Sequence, residues 1–250
     1  MKIGESLNPY SGLSQLNQSL SKANEVSQQI STGNRLTKAS VDPSALVISE
    51  RMKAQITQLT KEAENISMEI MRDQTAEAAY AGITENLQRI NELTVQAQNG
   101  TLTGEDRAII EQEISQLTEG ISDIAANTQF NATNVIPSGL VEQLGISNIS
   151  IANPEQASEI ISSAIEHVSS LRSEIGGKIN ANVARANVLE QTAVNTVEAK
   201  SRLADTDISA AVSELTDTLN SIKTAVFGVQ AKNEIASATL GGIMGFDQYG

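Results

Sequence analysis

From Ile208 through Val212, Leu215, Leu219, Ile222 and Val226 to Val229, apolar residues recur at alternating steps of four and three, and almost everything between them is polar or small. That is the two-position heptad seam of a helix lying along another helix. An isolated helix is marginal in water and draws its stability from burying its apolar face, so a stripe this narrow cannot make a core alone. The chain must supply or recruit partner helices.

The matching stripe lies at the other end: Leu13, Leu16, Leu20, Ala23 and Ile30, with only Lys22 and Glu25 charged between the first and the last. The two ends are therefore expected to pair. Neither stripe contains an aromatic residue. A fully buried Leu or Ile returns roughly 1.5–3 kcal/mol against an ordering cost of about 1–2 kcal/mol per residue. Ends this sparsely apolar are expected to order only when other copies of the chain cover them. Leu13, Leu16, Leu20, Ile30, Ile208, Val212, Leu215, Leu219, Ile222, Val226 and Val229 form the candidate self-assembly seam.

Composition points the same way. Hydrophobic residues make up 40% of the 250, but aromatics only 2% with no Trp, so the core is limited to Ile, Leu, Val and Ala and suits helix seams. A formal charge of −13 with no Lys/Arg stripe to neutralise phosphates argues against nucleic-acid binding. Cysteine is absent, which removes disulfides and thiolate metal sites. No 18-residue apolar run is present for membrane insertion, and Met1-Lys2-Ile3-Gly4-Glu5-Ser6 lacks the apolar segment of a secretory signal. Such a chain is cytosolic, or is exported by a route that needs no cleaved signal.

Taken in order, residues 1–12, with Pro9 and Gly12, read as a poorly ordered lead-in to a first helix that stops at Thr32-Gly33-Asn34. A connector over 33–44 leads to a helix start at Asp42 or Pro43. Ile48, Met52, Ile56, Leu59, Ala63, Ile66, Ile70, Ala76, Tyr80, Ile83, Leu87, Ile90 and Ala97 then predict one helix of about 55 residues, on the order of 80 Å, with Gly82 its weak point. Thr103 offers an N-cap, with Glu105 and Asp106 in the first turn, for a helix carrying Ile110, Ile114, Leu117, Ile121 and Ile124 to about Asn127.

Between Gln129 and Asn153 the period changes. Val135–Val141 and Ile146–Ile151 are short, β-branched and broken by turn residues, and they predict a small β-hairpin or an irregular β segment. Asn153-Pro154 opens another long helix, interrupted at Gly176-Gly177 by a bend or by a close neighbour. The predicted fold is all-α dominated: an elongated helical rod or coiled coil with a small β-hairpin region near 129–153 and paired N- and C-termini.

The residues that carry this pattern resemble bacterial flagellin. The likeness runs through Ser31–Leu36 and Ile48–Ile56, is densest from Gln74–Glu77 through Leu87–Gly100 and Glu105–Arg107 to Phe130-Asn131, and resumes at Ala199–Asp207. The resemblance implies a self-assembling structural subunit of the flagellar filament, extracellular and exported without a cleaved signal peptide. It implies an inner terminal region, 1–42 plus 208–250, and an outer helical region, 43–207. Only about 25 residues separate the two arms, so the variable outer domains of many flagellins are expected to be missing. Partners implied are the chain itself, an export chaperone, the filament cap and the hook-junction proteins. Val41-Asp42-Pro43-Ser44-Ala45 departs from the family pattern, as does the tail Gly241–Gly250. The hook–filament junction protein also carries Asp-Pro near the first site and is the alternative; a cytosolic coiled-coil binding module is a third reading.

No catalytic constellation emerges. His167 is the single histidine and has no nucleophile or ligand set in its pattern; Asp205 and Asp207 read as a helix start or bend rather than a cation site. No enzyme activity and no cofactor or metal are expected. By resemblance, Gln88, Arg89, Leu93 and Glu113 match positions at which a host Toll-like receptor grips some flagellins, although Asn91 stands where a second Arg is common.

Overall fold

The computed structural model describes residues 9–147 and 149–246. The elements are α1 (Pro9–Thr32), α2 (Pro43–Ala97), α3 (Gly104–Asn127), β1 (Gln129–Phe130), β2 (Thr133–Asn134), α4 (Leu140–Gln143), α5 (Pro154–Ala204) and α6 (Ile208–Phe246). The chain is helix-dominated with one small antiparallel hairpin, as its periodicity predicts. The lead-in is shorter than expected. Proline is tolerated in the first turn, where its missing N–H has no partner to lose, so α1 starts at Pro9; residues 1–8 of the expected lead-in lie outside the described residues.

Contacts divide the chain into two units, Met1–Ile56 with Asn195–Gly250, and Thr57–Val194. In the first, α1 ends where Gly33 takes a left-handed conformation (φ 66°). The extended residues beyond it pair with the start of the α5–α6 connection. Arg35 N–H donates to the Ala204 carbonyl at 2.7 Å, and Thr206 N–H to that of Gly33 at 2.9 Å. Beneath this joint Leu36, Ala45 and Ala204 form a small buried cluster. Asp42 Oδ1 accepts from Ala45 N–H at 2.9 Å and Asp207 Oδ1 from Ala210 N–H at 3.1 Å. Each carboxylate thus caps the helix that follows it.

The second unit has its own core. Ile83, Leu87, Ile90 and Leu93 of α2 pack with Ile114 and Ile121 of α3 and with Ile161 and Val168 of α5, all at most 2% exposed. Buried Thr84 and Thr94 satisfy their hydroxyls on the carbonyls of Tyr80 and Ile90, one turn back. Thr103 caps α3 in a reciprocal box: its hydroxyl accepts from Asp106 N–H, and the Asp106 carboxylate accepts from Thr103 N–H at 2.9 Å.

The hairpin is not made by the runs expected to form it. Its ladder pairs Gln129 with Asn134 and Phe130 with Thr133 around a two-residue turn, Asn131-Ala132, both at positive φ. Residues 135–139 are irregular and Leu140 and Val141 open α4, and the described part of Ile146–Ile151 is not strand; Asn148 lies outside the described residues. Ile136, Leu140, Val141, Leu144, Ile146 and Ile151 are instead buried as plugs in the helical core. Strand propensity is chiefly a preference for packing on a half-buried pleated surface, and these residues find their burial against helices. The α5 helix runs on through Gly176-Gly177, and a Cβ at either position would meet nothing within 4 Å, so no close neighbour requires them.

Candidate functional site

Within the first unit α1 and α6 run antiparallel. Gly12 faces Val229, where an added Cβ would approach the Val229 methyl to 3.3 Å, and ten residues later Lys22 Nζ meets Glu214 Oε1 at 2.8 Å. Hydrogen bonding to Glu214 first, and its charge second, raise the Lys22 pKa. On α1 the inward line is Gly12, Leu16, Ser19, Ala23, Val26 and Ile30; on α6 it is Ala211, Leu215, Thr218, Ile222, Ala225 and Val229. Both lines step by four and three, and both mix small with large side chains, so the helices approach closely but bury little.

The expected seam residues separate into two groups. Leu16, Ile30, Leu215, Ile222 and Val229 lie on the inward lines and are half-buried. Leu13 (50%), Leu20 (43%), Ile208 (45%), Val212 (46%), Leu219 (46%) and Val226 (37%) are exposed. Two heptad lines lie side by side on α6 and share Leu215, Ile222 and Val229. Sequence reasoning followed the larger residues and missed the inward Ala211, Thr218 and Ala225. Their own seven-residue spacing was the available signal.

On α2 and α3, Arg89 Nε and Nη2 donate to Glu113 Oε1 at 3.0 and 2.7 Å, and Nη1 donates to Glu92 at 3.2 Å. Hydrogen bonds to Glu113 and then Glu92, followed by the charge of Glu113, raise the Arg89 pKa. Gln88 is exposed beside it. Leu93, expected with them as a receptor contact, is 2% exposed in the core, so its side chain offers no such contact in this fold.

His167 is exposed on α5. Asp205 accepts from Ser201 Oγ at 2.5 Å while Asp207 caps α6. Among the described residues no group of three or more His, Asp or Glu is placed to hold a metal ion, and no helix is long and apolar enough to cross a membrane.

The extended joint after α1, the long α2 and the capped α3 fall in the stretch that decides the family: residues 5–138 match the bacterial flagellin N-terminal helical region. The chain belongs to the flagellin family. Flagellar filament core protein flaB2 of Brachyspira hyodysenteriae is 31% identical over 72% of this chain and 78% of its own. The flagellin of Halalkalibacterium halodurans is 29% identical over 80% of this chain and 84% of its own. Flagellin FlaB2 of Treponema pallidum is 38% identical over 47% of this chain, and the match spans only 41% of that relative's length. In this flagellin-family chain the described residues between α3 and α5, within 128–153, form the hairpin and α4, a segment too short for a large outer domain.

Proposed function

We propose that this chain is a structural subunit that polymerises into the bacterial flagellar filament outside the cell, with no catalytic role. One observation carries the reading: among the described residues, the paired α1 and α6 keep eight large apolar side chains exposed in a single chain, Phe227 and Ile235 included, and a second copy is what would cover them. Residues 1–42 and 208–250 would then form the inner region of the filament and 43–207 the outer. By family resemblance the export chaperone, filament cap and hook-junction proteins are its other partners.

Negative-stain microscopy of concentrated, salted-out chain tests this. Long uniform filaments are expected from the full chain and none after deletion of 208–250. A discrete oligomer with slowly exchanging ends would instead favour the coiled-coil binding module, and normal filaments from the truncated chain would remove the terminal helices from the account.

The Arg89 site supports a second role, recognition of the monomer by the flagellin-sensing Toll-like receptor. Its support is that Gln88 and Arg89 are exposed and that Glu113 and Glu92 hold the guanidinium in one place. An NF-κB reporter should respond to monomer and lose the response with Arg89→Ala. Silence towards the native monomer would end this role without touching the filament.

A further inference from the structure

We propose that Asn99-Gly100 is a self-modifying site, at which the folded chain turns Asn99 through a cyclic succinimide into isoaspartate and Arg107 holds the carboxylate that results. The proposal stands apart from the filament reading, because it needs only a single folded chain.

Asn-Gly occurs once in the sequence, in the connection between the end of α2 at Ala97 and the N-cap of α3 at Thr103, and both residues are exposed. Asn99 Oδ1 accepts from Thr101 N–H at 3.1 Å and from Thr101 Oγ1 at 2.9 Å. That is an Asx turn, and it folds the side-chain amide back beside the Gly100 peptide group. Among the described residues nothing accepts from the Gly100 N–H, so the nitrogen is free to react. The carbonyl of the same peptide group, that of Asn99, accepts from Leu102 N–H at 3.3 Å and from Arg107 Nη2 at 3.4 Å. Among the described residues Arg107 belongs to no ion pair. The fold does not need a glycine at 100: its φ is not left-handed, and an added Cβ would meet nothing within 4 Å. What glycine supplies is a backbone nitrogen with no side chain to shield it.

The donors act on both ends of the reaction. Donation to the Asn99 carbonyl draws electrons from the peptide group and eases loss of the Gly100 N–H proton to solvent. The nitrogen then attacks Asn99 Cγ. Negative charge that develops on Oδ1 meets the two Thr101 donors already in place, which is how an oxyanion is stabilised. The Cγ–Nδ2 bond breaks, Nδ2 takes a proton from solvent and leaves as ammonia, and a succinimide ring remains. Water adds to the ring at the former main-chain carbonyl, which Arg107 polarises. The bond from that carbon to the Gly100 nitrogen breaks, the nitrogen takes a proton and stays bonded to Cγ, and the chain now runs through Cγ as isoaspartate. The released carboxylate stands where the Asn99 carbonyl stood, and its bond to the Arg107 guanidinium becomes charge-assisted.

Ageing the full folded chain in mildly alkaline buffer, followed by peptide mapping in a mass spectrometer and methyl labelling by an isoaspartyl methyltransferase, tests this. Isoaspartate should accumulate at Asn99 ahead of every other asparagine, and Gly100→Ala should lose it. Thr101→Val and Arg107→Met should each slow the loss of Asn99 by about tenfold, the rate equivalent of one net hydrogen bond. Arg107→Met should also shift the product towards aspartate, which a purely structural role for Arg107 would not do. In denaturant, where the donors are no longer placed, both variants should react as fast as the parent. A folded parent that keeps Asn99 while the denatured chain loses it would overturn the proposal, because the fold would then protect the site. Folded Thr101→Val and Arg107→Met chains that react at the parent's rate would overturn it as well. Aspartate as the main product of the folded parent would remove Arg107 from the second step.

Discussion

Arg35 donates from its guanidinium to the Leu203 carbonyl at 2.9 Å, while its backbone N–H donates to Ala204. One residue thereby ties the connector after α1 to the end of α5, and the Asn34–Asp205 bridge lies beside it. The carbonyls at a helix C-terminus lack partners within the helix, and an arginine is well suited to supply one.

Removing that tie should loosen the joint locally. Arg35→Met leaves the backbone bridge and costs roughly 1 kcal/mol, the net worth of one such bond. Gly33→Ala acts on the same joint by another route, since a φ of 66° strains a residue with a Cβ by about 1–2 kcal/mol. Amide exchange at Thr206, whose N–H is held by the Gly33 carbonyl, should quicken in both variants. Unchanged exchange there would show that Leu36, Ala45 and Ala204 hold the joint without the polar contacts.

The hairpin turn offers a stabilising change. Asn131 and Ala132 both sit at positive φ, the geometry that a two-residue hairpin loop favours, but alanine lacks the polar side chain that lets Asn tolerate it. Ala132→Gly should therefore raise stability by about 0.5–1 kcal/mol, the relieved strain exceeding the entropy gained by the unfolded chain. A thermal melt of the variant reads this directly, and a lower melting temperature would contradict it.

At the start of α3 the expectation concerns acid. Thr103 hydrogen bonds, from its hydroxyl first and its backbone second, lower the Asp106 pKa below its ordinary value. The folded-state pKa is the depressed one, so the stabilisation is complete above the ionisation of the unfolded carboxyl and is lost as pH falls through the folded value. Asp106→Asn should flatten that part of the acid limb of a stability–pH curve. Thr103→Ala should cost about 1 kcal/mol at neutral pH, the usual worth of an N-cap. A Thr103→Ala variant as stable as the parent would mean that the box is open in solution.

These cases also show what the sequence made legible. Thr103, Asp42-Pro43 and Asn153-Pro154 announce helix starts through local chemistry, and the structure begins its helices there. Gly33 likewise ends one. The strands could not be read the same way, because Ile136, Val141, Ile146 and Ile151 have the composition of strands and the burial of core plugs. Only tertiary contact decides between the two. The line of α6 that faces α1 was only half legible for a related reason: Ala211 and Thr218 are too small or too polar to register as apolar, yet they are the most deeply buried residues on that helix among those described.

Burial also predicts unequal stability along the chain. In the second unit Ile83, Leu87 and Ile90 are fully enclosed, whereas among the described residues of α1 and α6 the buried apolar side chains are Val26 and Ala211 alone. Truncating Ile83 to Ala should cost about 2–5 kcal/mol, from lost transfer energy and the cavity left behind. Leu215→Ala, at a half-buried position whose surroundings can relax, should cost the monomer roughly 1 kcal/mol. Hydrogen exchange separates the regions without mutation. Amides of α1 and α6 should exchange rapidly in dilute monomer, since few buried contacts oppose local opening. Those around Ile83 and Leu87 should be slow in the same sample. On assembly the α1 and α6 amides should become slow as well, because a neighbouring copy then supplies the burial that the pair lacks alone. Slow exchange throughout α1 and α6 in the monomer would mean that the pair is self-sufficient, and polymerisation would need a different driving force.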